Sequence, residues 1–254
     1  MKKEGKSIPI LGLPIASLTQ EELKKEIRQI LQGSTNARIL TPNPEMLWQT
    51  RSDPHLTEAL QKADLLLPDG IGVLLAARLK GERLPRRLTG IDTAEWILQY
   101  AADHSLSVFL LGGREGVAAH AATRLCTRFK GLSICGTHHG YFDRSGEENQ
   151  KILQEIRTAS PDVLLVCLGT PAQEIWIHRN THALPSLRLS MGIGGALDVW
   201  SENVRRAPRI MQATGTEWLY RVIQQPTRLR RLLAIPRFLY SVCTEKYSKK
   251  VGRP

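Results

Sequence analysis

Ser107-Val-Phe-Leu-Leu-Gly-Gly-Arg-Glu-Gly116, continuing as Val117-Ala-Ala-His-Ala-Ala-Thr-Arg-Leu-Cys-Thr-Arg-Phe129, is the stretch that decides the fold. Its opening residues are a short apolar run closed by glycines, which predicts a buried strand over 107–111. The glycines turn the chain, and apolar residues then recur at helical spacing, predicting a helix over 117–129. An apolar strand followed at once by a helix is the repeating unit of a parallel sheet covered on both faces.

The same alternation extends outward from this stretch. Toward the C-terminus, strands are predicted over 132–135, 162–168 and 187–191. Helices are predicted over 147–157 and 171–179, with a helical turn at 195–200. Toward the N-terminus, Thr19-Gln-Glu-Glu22 reads as a capping box that opens a helix to about Gln32. A strand over 37–41, helices over 45–49 and 54–63, a strand over 65–67, and helices over 71–79 and 92–102 follow. The predicted class is α/β: a mostly parallel, Rossmann-like sheet with helices on both faces. From Arg205 onward the pattern is helical only. This divides the chain into an α/β body, 1–204, and a basic amphipathic helical appendage, 205–254.

With 254 residues and 42% hydrophobic content, the chain can bury one sizeable core. Its N-terminal residues Met1–Ile15 do not make a good signal peptide, and no window approaches 18 uninterrupted apolar residues. A cytosolic protein is expected. No Cys-x-x-Cys pair occurs. Cys126, Cys135 and Cys167 stand in apolar surroundings and are expected to be buried thiols in a reducing compartment.

The formal net charge is +11, and its placement matters more than its size. From residue 205 onward there are twelve basic residues and two acidic ones, Glu217 and Glu245, so the body is close to neutral. The same tail is rich in large apolar groups, with Pro226 and Pro236 expected to cut it into short helices. Short basic amphipathic helices suit an anionic membrane surface. A solvated helical face packed on the body is the competing reading. Nucleic acid is not expected as a partner, because the tail has no recognised binding motif.

In a parallel sheet, ligands bind outside the carboxyl ends of the strands. The polar, glycine-rich turns 41–45, 68–70, 112–113, 169–171 and 192–195 are all predicted to lie there. Gly112-Gly113-x-x-Gly116 suits a phosphate at a helix start, and equally a tight structural turn. Gly194 belongs to a similar turn. Asp69 follows a buried strand, where it either caps the next helix or projects into the cleft as a general base. Thr41 and Asn43 are turn formers or hydrogen-bonding groups for sugar hydroxyls. Arg87 is a surface arginine or a planar fork for a diphosphate. His138 and His139 have no partner at metal-ligand spacing, and no Asp-x-Asp triplet occurs, so no metal is expected.

Taken in series, Thr41-Pro-Asn-Pro-Glu45, Pro68-Asp-Gly70, Arg87-Leu-Thr-Gly-Ile-Asp92, Gly169-Thr-Pro-Ala-Gln-Glu174, Gly192-Ile-Gly-Gly-Ala-Leu-Asp198 and Arg206-Ala-Pro208 resemble the bacterial WecG/TagA/CpsF glycosyltransferases. Trp200-Ser-Glu-Asn203 departs from the small residue and glycine usual in that family. The resemblance implies an inverting, metal-independent transferase without a cofactor. Its donor is a UDP-sugar such as UDP-N-acetylmannosamine. Its acceptor is N-acetylglucosamine on an undecaprenyl-diphosphate carrier, used for surface polymers such as wall teichoic acid at the inner face of the membrane. Homo-oligomer formation is left open. Carried onto this sequence, the resemblance makes Asp69 the base, puts Thr41, Asn43, Arg87 and Gln173 in the pocket, and puts Arg221, Arg228 and Arg231 on the appendage near the lipid diphosphate. The competing classes are a dinucleotide-dependent oxidoreductase, for which a full glycine fingerprint is missing, and a non-catalytic membrane or nucleic-acid adaptor.

Overall fold

A computed structural model describes residues 6–224 and 234–251. The described residues open with an antiparallel hairpin, β1 (Ser7–Ile10) and β2 (Leu13–Ala16), which the sequence reading did not anticipate. Prolines in both strands masked it. The signal was the alternation of buried Ile8, Ile10, Leu13 and Ile15 about Leu11-Gly12, both of which take positive φ. Two successive residues at positive φ make the tight turn that matches strand twist.

Six strands of the described residues then form one parallel sheet. They are β3 (Ala37–Leu40), β4 (Leu65–Leu66), β5 (Ser107–Gly112), β6 (Ser133–His138), β7 (Val163–Cys167) and β8 (Leu189–Gly192), in the spatial order β4-β3-β8-β7-β5-β6. Their side chains alternate between two cores. Val108, Leu110, Val163 and Leu165 face one, and Phe109, Leu111, Leu164 and Val166 the other. The first core is covered by α1 (Gln20–Gln32), α5 (Gly90–Asp103), α6 (Val117–Arg128) and α9 (Ala196–Trp200). The second is covered by α2 (Pro44–Gln49), α3 (Pro54–Gln61), α4 (Ile71–Leu79), α7 (Glu147–Ala159) and α8 (Ala172–Asn180). The α/β class expected from the sequence is the one observed.

Local chemistry sets the boundaries. The Thr19 hydroxyl accepts the Glu22 N–H at 3.2 Å and the Glu22 carboxylate accepts the Thr19 N–H at 2.7 Å, so the predicted capping box is formed. Helix α5 begins at Gly90 rather than at Asp92, because the Thr89 hydroxyl accepts the Asp92 N–H and caps it. Strand β6 runs on to His138, beyond the predicted end at Cys135, because it stays paired with β5.

The C-terminal segment contributes α10 (Arg209–Ala213), α11 (Glu217–Gln224) and α12 (Ala234–Val251). Pro236 lies in the first turn of the 18-residue α12 instead of ending a short helix; proline is tolerated there, where N–H groups have no intrahelical partner. Pro226 lies outside the described residues. Helix α12 is seated on the body, with Phe238 and Val242 fully buried in the second core alongside residues of α2 and α4. The Arg51 guanidinium donates to the Ser241 hydroxyl at 2.8 Å, and Lys80 pairs with Glu245 at 3.0 Å. Among the thiols, Cys167 is buried and Cys135 half-buried. Cys126, expected inside, is exposed because its position on α6 faces solvent.

Candidate active site

Strand β5 leads on to β6 at one edge of the sheet, and β7 leads on to β8 on the opposite side. The connections therefore diverge above neighbouring strands, which opens a crevice at their carboxyl ends. A cleft of about 970 Å³ lies there, and it spreads across the ends of β3, β4 and β8. The turns singled out in the sequence meet in it: Thr41, Asn43, Asp69, Arg87, Gly113, Gln173 and Gly194 all line the wall.

Asp69 follows the short strand β4, where its N–H donates to the Pro42 carbonyl at 3.3 Å. The N-cap of α4 is Gly70, at φ +89°, so Asp69 does not take the capping position. Asn43 does cap: its Oδ1 accepts the Met46 N–H at 3.0 Å and starts α2. That commits the oxygen and leaves the amide NH2 as the group Asn43 offers to a ligand. Thr41 is buried, and Gly90 lies against it, where a Cβ would come within 3.3 Å of the Thr41 hydroxyl.

The glycines do two different jobs. Gly112 lies outside the cleft wall; with φ at +135°, a Cβ there would meet the Cys167 carbonyl at 2.2 Å. Its role is close approach of β5 to β7. The Gly113 N–H also donates to that carbonyl, at 3.1 Å, so this donor is held by the turn. The Gly194 N–H donates to Gln173 Oε1 at 3.1 Å.

Gln173 is consequently clamped at both ends. Its Nε2 donates to the carboxyl of Glu174 at 2.7 Å, and Gly192 leaves it room, since a Cβ there would come within 2.9 Å of the amide nitrogen. Glu174 is fully buried, and its Oε2 has no hydrogen-bond partner. Burial pushes its pKa up to about 7, against the opposing pull of the Gln173 hydrogen bond. Burial likewise raises the Cys167 thiol to about 12, so it faces the cleft as a neutral thiol at physiological pH.

Arg87 is held by the C-terminal segment. Its guanidinium donates to the Glu217 carboxylate at 2.6 Å and to the Gln212 carbonyl at 3.1 Å. Glu217 is buried, and Arg206 lies 3.7 Å from its second oxygen while also pairing with Asp92. Burial works against the Asp92 charge. The Thr89 hydroxyl and the Arg206 guanidinium outweigh it and hold the carboxyl below its ordinary value. Trp218 and Val222 of α11 and Ile235 of α12 complete the cleft wall, so the C-terminal segment closes one side of it. Arg221 lies in α11, its side chain outside the described residues, as are Arg228 and Arg231.

The sequence reading missed several wall residues. Arg114 follows the Gly112-Gly113 turn and could have been found there. Tyr141 and Arg144 lie in the loop after β6, beyond the two histidines that drew attention. Glu217 also lines the wall, and Glu174 lies behind Gln173; both stand in segments that carry the family resemblance, but only tertiary burial reveals what each one holds. Among the described residues, no group of three or more His, Cys, Asp or Glu is placed to hold a metal ion. Among the described residues, arginines 87, 114 and 144 are the cationic groups of the wall.

A parallel sheet covered on both faces, with a polar cleft over its carboxyl edge, defines an α/β protein with a crevice where such folds bind small-molecule ligands. The family model for the WecG/TagA/CpsF glycosyltransferases matches residues 8–252. The chain belongs to that family and is a glycosyltransferase. Similar curated proteins include an N-acetylglucosaminyldiphosphoundecaprenol N-acetyl-beta-D-mannosaminyltransferase of Bacillus spizizenii, 34% identical over 88% of this chain and 84% of the relative. One of the same name from Bacillus subtilis is 34% identical over 89% and 87%. Another, from Staphylococcus aureus, is 31% identical over 97% and 96%. The oxidoreductase and adaptor readings fall with this assignment.

Proposed function

We propose that the enzyme transfers N-acetylmannosamine, or a related sugar, from a UDP-sugar to N-acetylglucosamine carried on undecaprenyl diphosphate, with inversion and without a metal ion. The observation that supports this reading is the arrangement of the cleft: Asp69 at a strand tip, the polar side chains of Thr41, Asn43 and Gln173, and Arg87, Arg114 and Arg144 in the same wall. The names of the relatives supply the acceptor and the transferred sugar.

In this reading, Asp69 takes the proton from the acceptor hydroxyl as its oxygen attacks the anomeric carbon. A carbon–oxygen bond to the acceptor forms as the bond to the nucleotide diphosphate breaks on the opposite face. The leaving diphosphate carries away the electron pair. Arginine guanidinium groups of the wall stabilise that developing charge in the role a divalent cation plays in other transferases. The lipid carrier keeps the acceptor at a membrane, so the enzyme works as a peripheral protein on the inner face. Among the described residues, no helix is long and apolar enough to cross a membrane.

The test uses UDP-N-acetylmannosamine and a lipid-diphosphate N-acetylglucosamine acceptor in chelator. Transfer should persist, and Asp69→Asn should bind donor while losing about 10²–10⁴-fold in turnover. Turnover that stops in chelator and returns with magnesium or manganese refutes the metal-independent mechanism. Near-normal turnover of Asp69→Asn removes Asp69 from the role of base.

A further inference from the structure

Helix α4 has two faces. Val73, Ala76 and Ala77 are buried against the second core, where α12 also packs. Ile71, Leu75 and Leu79 recur every four residues on another face, and all three are exposed. Residues at this spacing line up along one side of a helix. The stripe does not end at α4. A Cβ on Gly215, just before α11, would come within 3.3 Å of the Ile71 side chain. Helix α11 itself exposes Trp218, Leu219 and Ile223. Single exposed apolar residues need no explanation, but a stripe continued across two helices does.

Charge and position indicate what covers it. Between Ile71 and Thr89 the chain has five basic residues and one acid, Glu82. Arg78 and Arg83 are exposed, and neither has an acidic partner among the described residues. An apolar stripe beside unneutralised cations suits an anionic bilayer, where side chains enter the headgroup boundary and guanidinium groups meet lipid phosphate. Ile71 and Trp218 belong both to the exposed stripe and to the cleft wall, so the stripe leads into the mouth of the site.

We infer that Ile71, Leu75 and Leu79 of α4, joined by Trp218, Leu219 and Ile223 of α11, form the face that lies on the anionic membrane and turns the cleft mouth toward its lipid-borne acceptor. The inference rests on the transferase reading for the identity of the acceptor. It assigns membrane docking to the catalytic body as well as to the basic tail.

The test uses the full chain and the variant Leu75→Asp/Leu79→Asp, with Leu75→Gln/Leu79→Gln as a milder companion. Neither position lines the cleft. Binding is measured by cosedimentation with vesicles of phosphatidylcholine and phosphatidylglycerol in a two-to-one ratio. Transfer is measured separately, on a water-soluble short-chain acceptor. The aspartate variant should lose about tenfold or more in vesicle partitioning and keep its transfer to the soluble acceptor, with the glutamine variant intermediate. Wild-type vesicle binding by the variants overturns the inference. So does light scattering in which the aspartate pair breaks a dimer while vesicle binding is unchanged, since a second copy of the chain then covers the stripe. If the wild-type chain transfers nothing to the soluble acceptor, the proposed donor and acceptor fall, and the vesicle arm still decides what the stripe binds.

Discussion

At the scale of single residues, the cleft depends on how neighbouring groups hold one another. Gln173 presents one orientation because Gly194 and Glu174 each hold one end of its amide. Glu174 titrates near pH 7 in the fold and near 4.5 in an unfolded chain. The folded protein therefore keeps a proton that the unfolded chain releases. The resulting stability is fully present below pH 4.5 and is lost as pH rises through about 7. The size of the effect is about 3 kcal/mol. Glu174→Gln is neutral at every pH and retains an acceptor for Gln173. It should flatten the fall in melting temperature between pH 5 and pH 8, read by thermal unfolding in a buffer series; an unchanged slope would place the titration elsewhere. Asp69 was legible in the sequence because it stands between a buried strand and a glycine. Glu174 was not, since its burial comes from elements distant in the chain.

Among the elements, α11 is the joint between the sheet and the C-terminal segment. Arg87 from the loop before α5 and Glu217 from the first turn of α11 form a largely buried pair. Removing one member leaves the other charge buried without its partner, which costs about 3–5 kcal/mol. Glu217→Ala should loosen α11 and speed amide exchange across Glu217–Gln224, while the β5 and β7 amides keep their protection. Exchange unchanged in α11 would mean that packing of Trp218 and Val222 alone holds the helix. The same pair explains why an arginine expected to serve a diphosphate is found bonded to a carboxylate. A ligand that recruits Arg87 has to compete with Glu217, which couples occupancy of the cleft to the position of α11. The sequence marked Arg87 as a candidate but could not supply Glu217, which is 130 residues away.

For the whole molecule, α12 changes the meaning of a truncation. The sequence separated a neutral body from a cationic tail at residue 205. In the fold, Phe238 and Val242 are part of the second core. Deleting residues 205–254 therefore uncovers apolar residues of α2 and α4, and loss of activity in such a chain would not distinguish closure of the site from damage to the body. A point substitution separates the two. Phe238→Ala should cost about 3–5 kcal/mol in urea unfolding, as expected for an aromatic side chain removed from a packed core. A cost near zero would show that α12 is seated without contributing to the body's stability.

By itself, the sequence determined the α/β class, the order along the chain of the six strands of the parallel sheet, the turns that converge on the cleft and the concentration of charge in the tail. Each of these is local: hydrophobic periodicity, capping side chains and glycine at positive φ act within a few residues. Only the tertiary structure decided the strand order β4-β3-β8-β7-β5-β6, the clamp on Gln173, the Arg87–Glu217 joint and the exposed stripe on α4. These depend on which surfaces meet across long stretches of chain. Burial, the property that gives a carboxyl an unusual pKa or leaves a leucine facing solvent, exists only once the layers are packed.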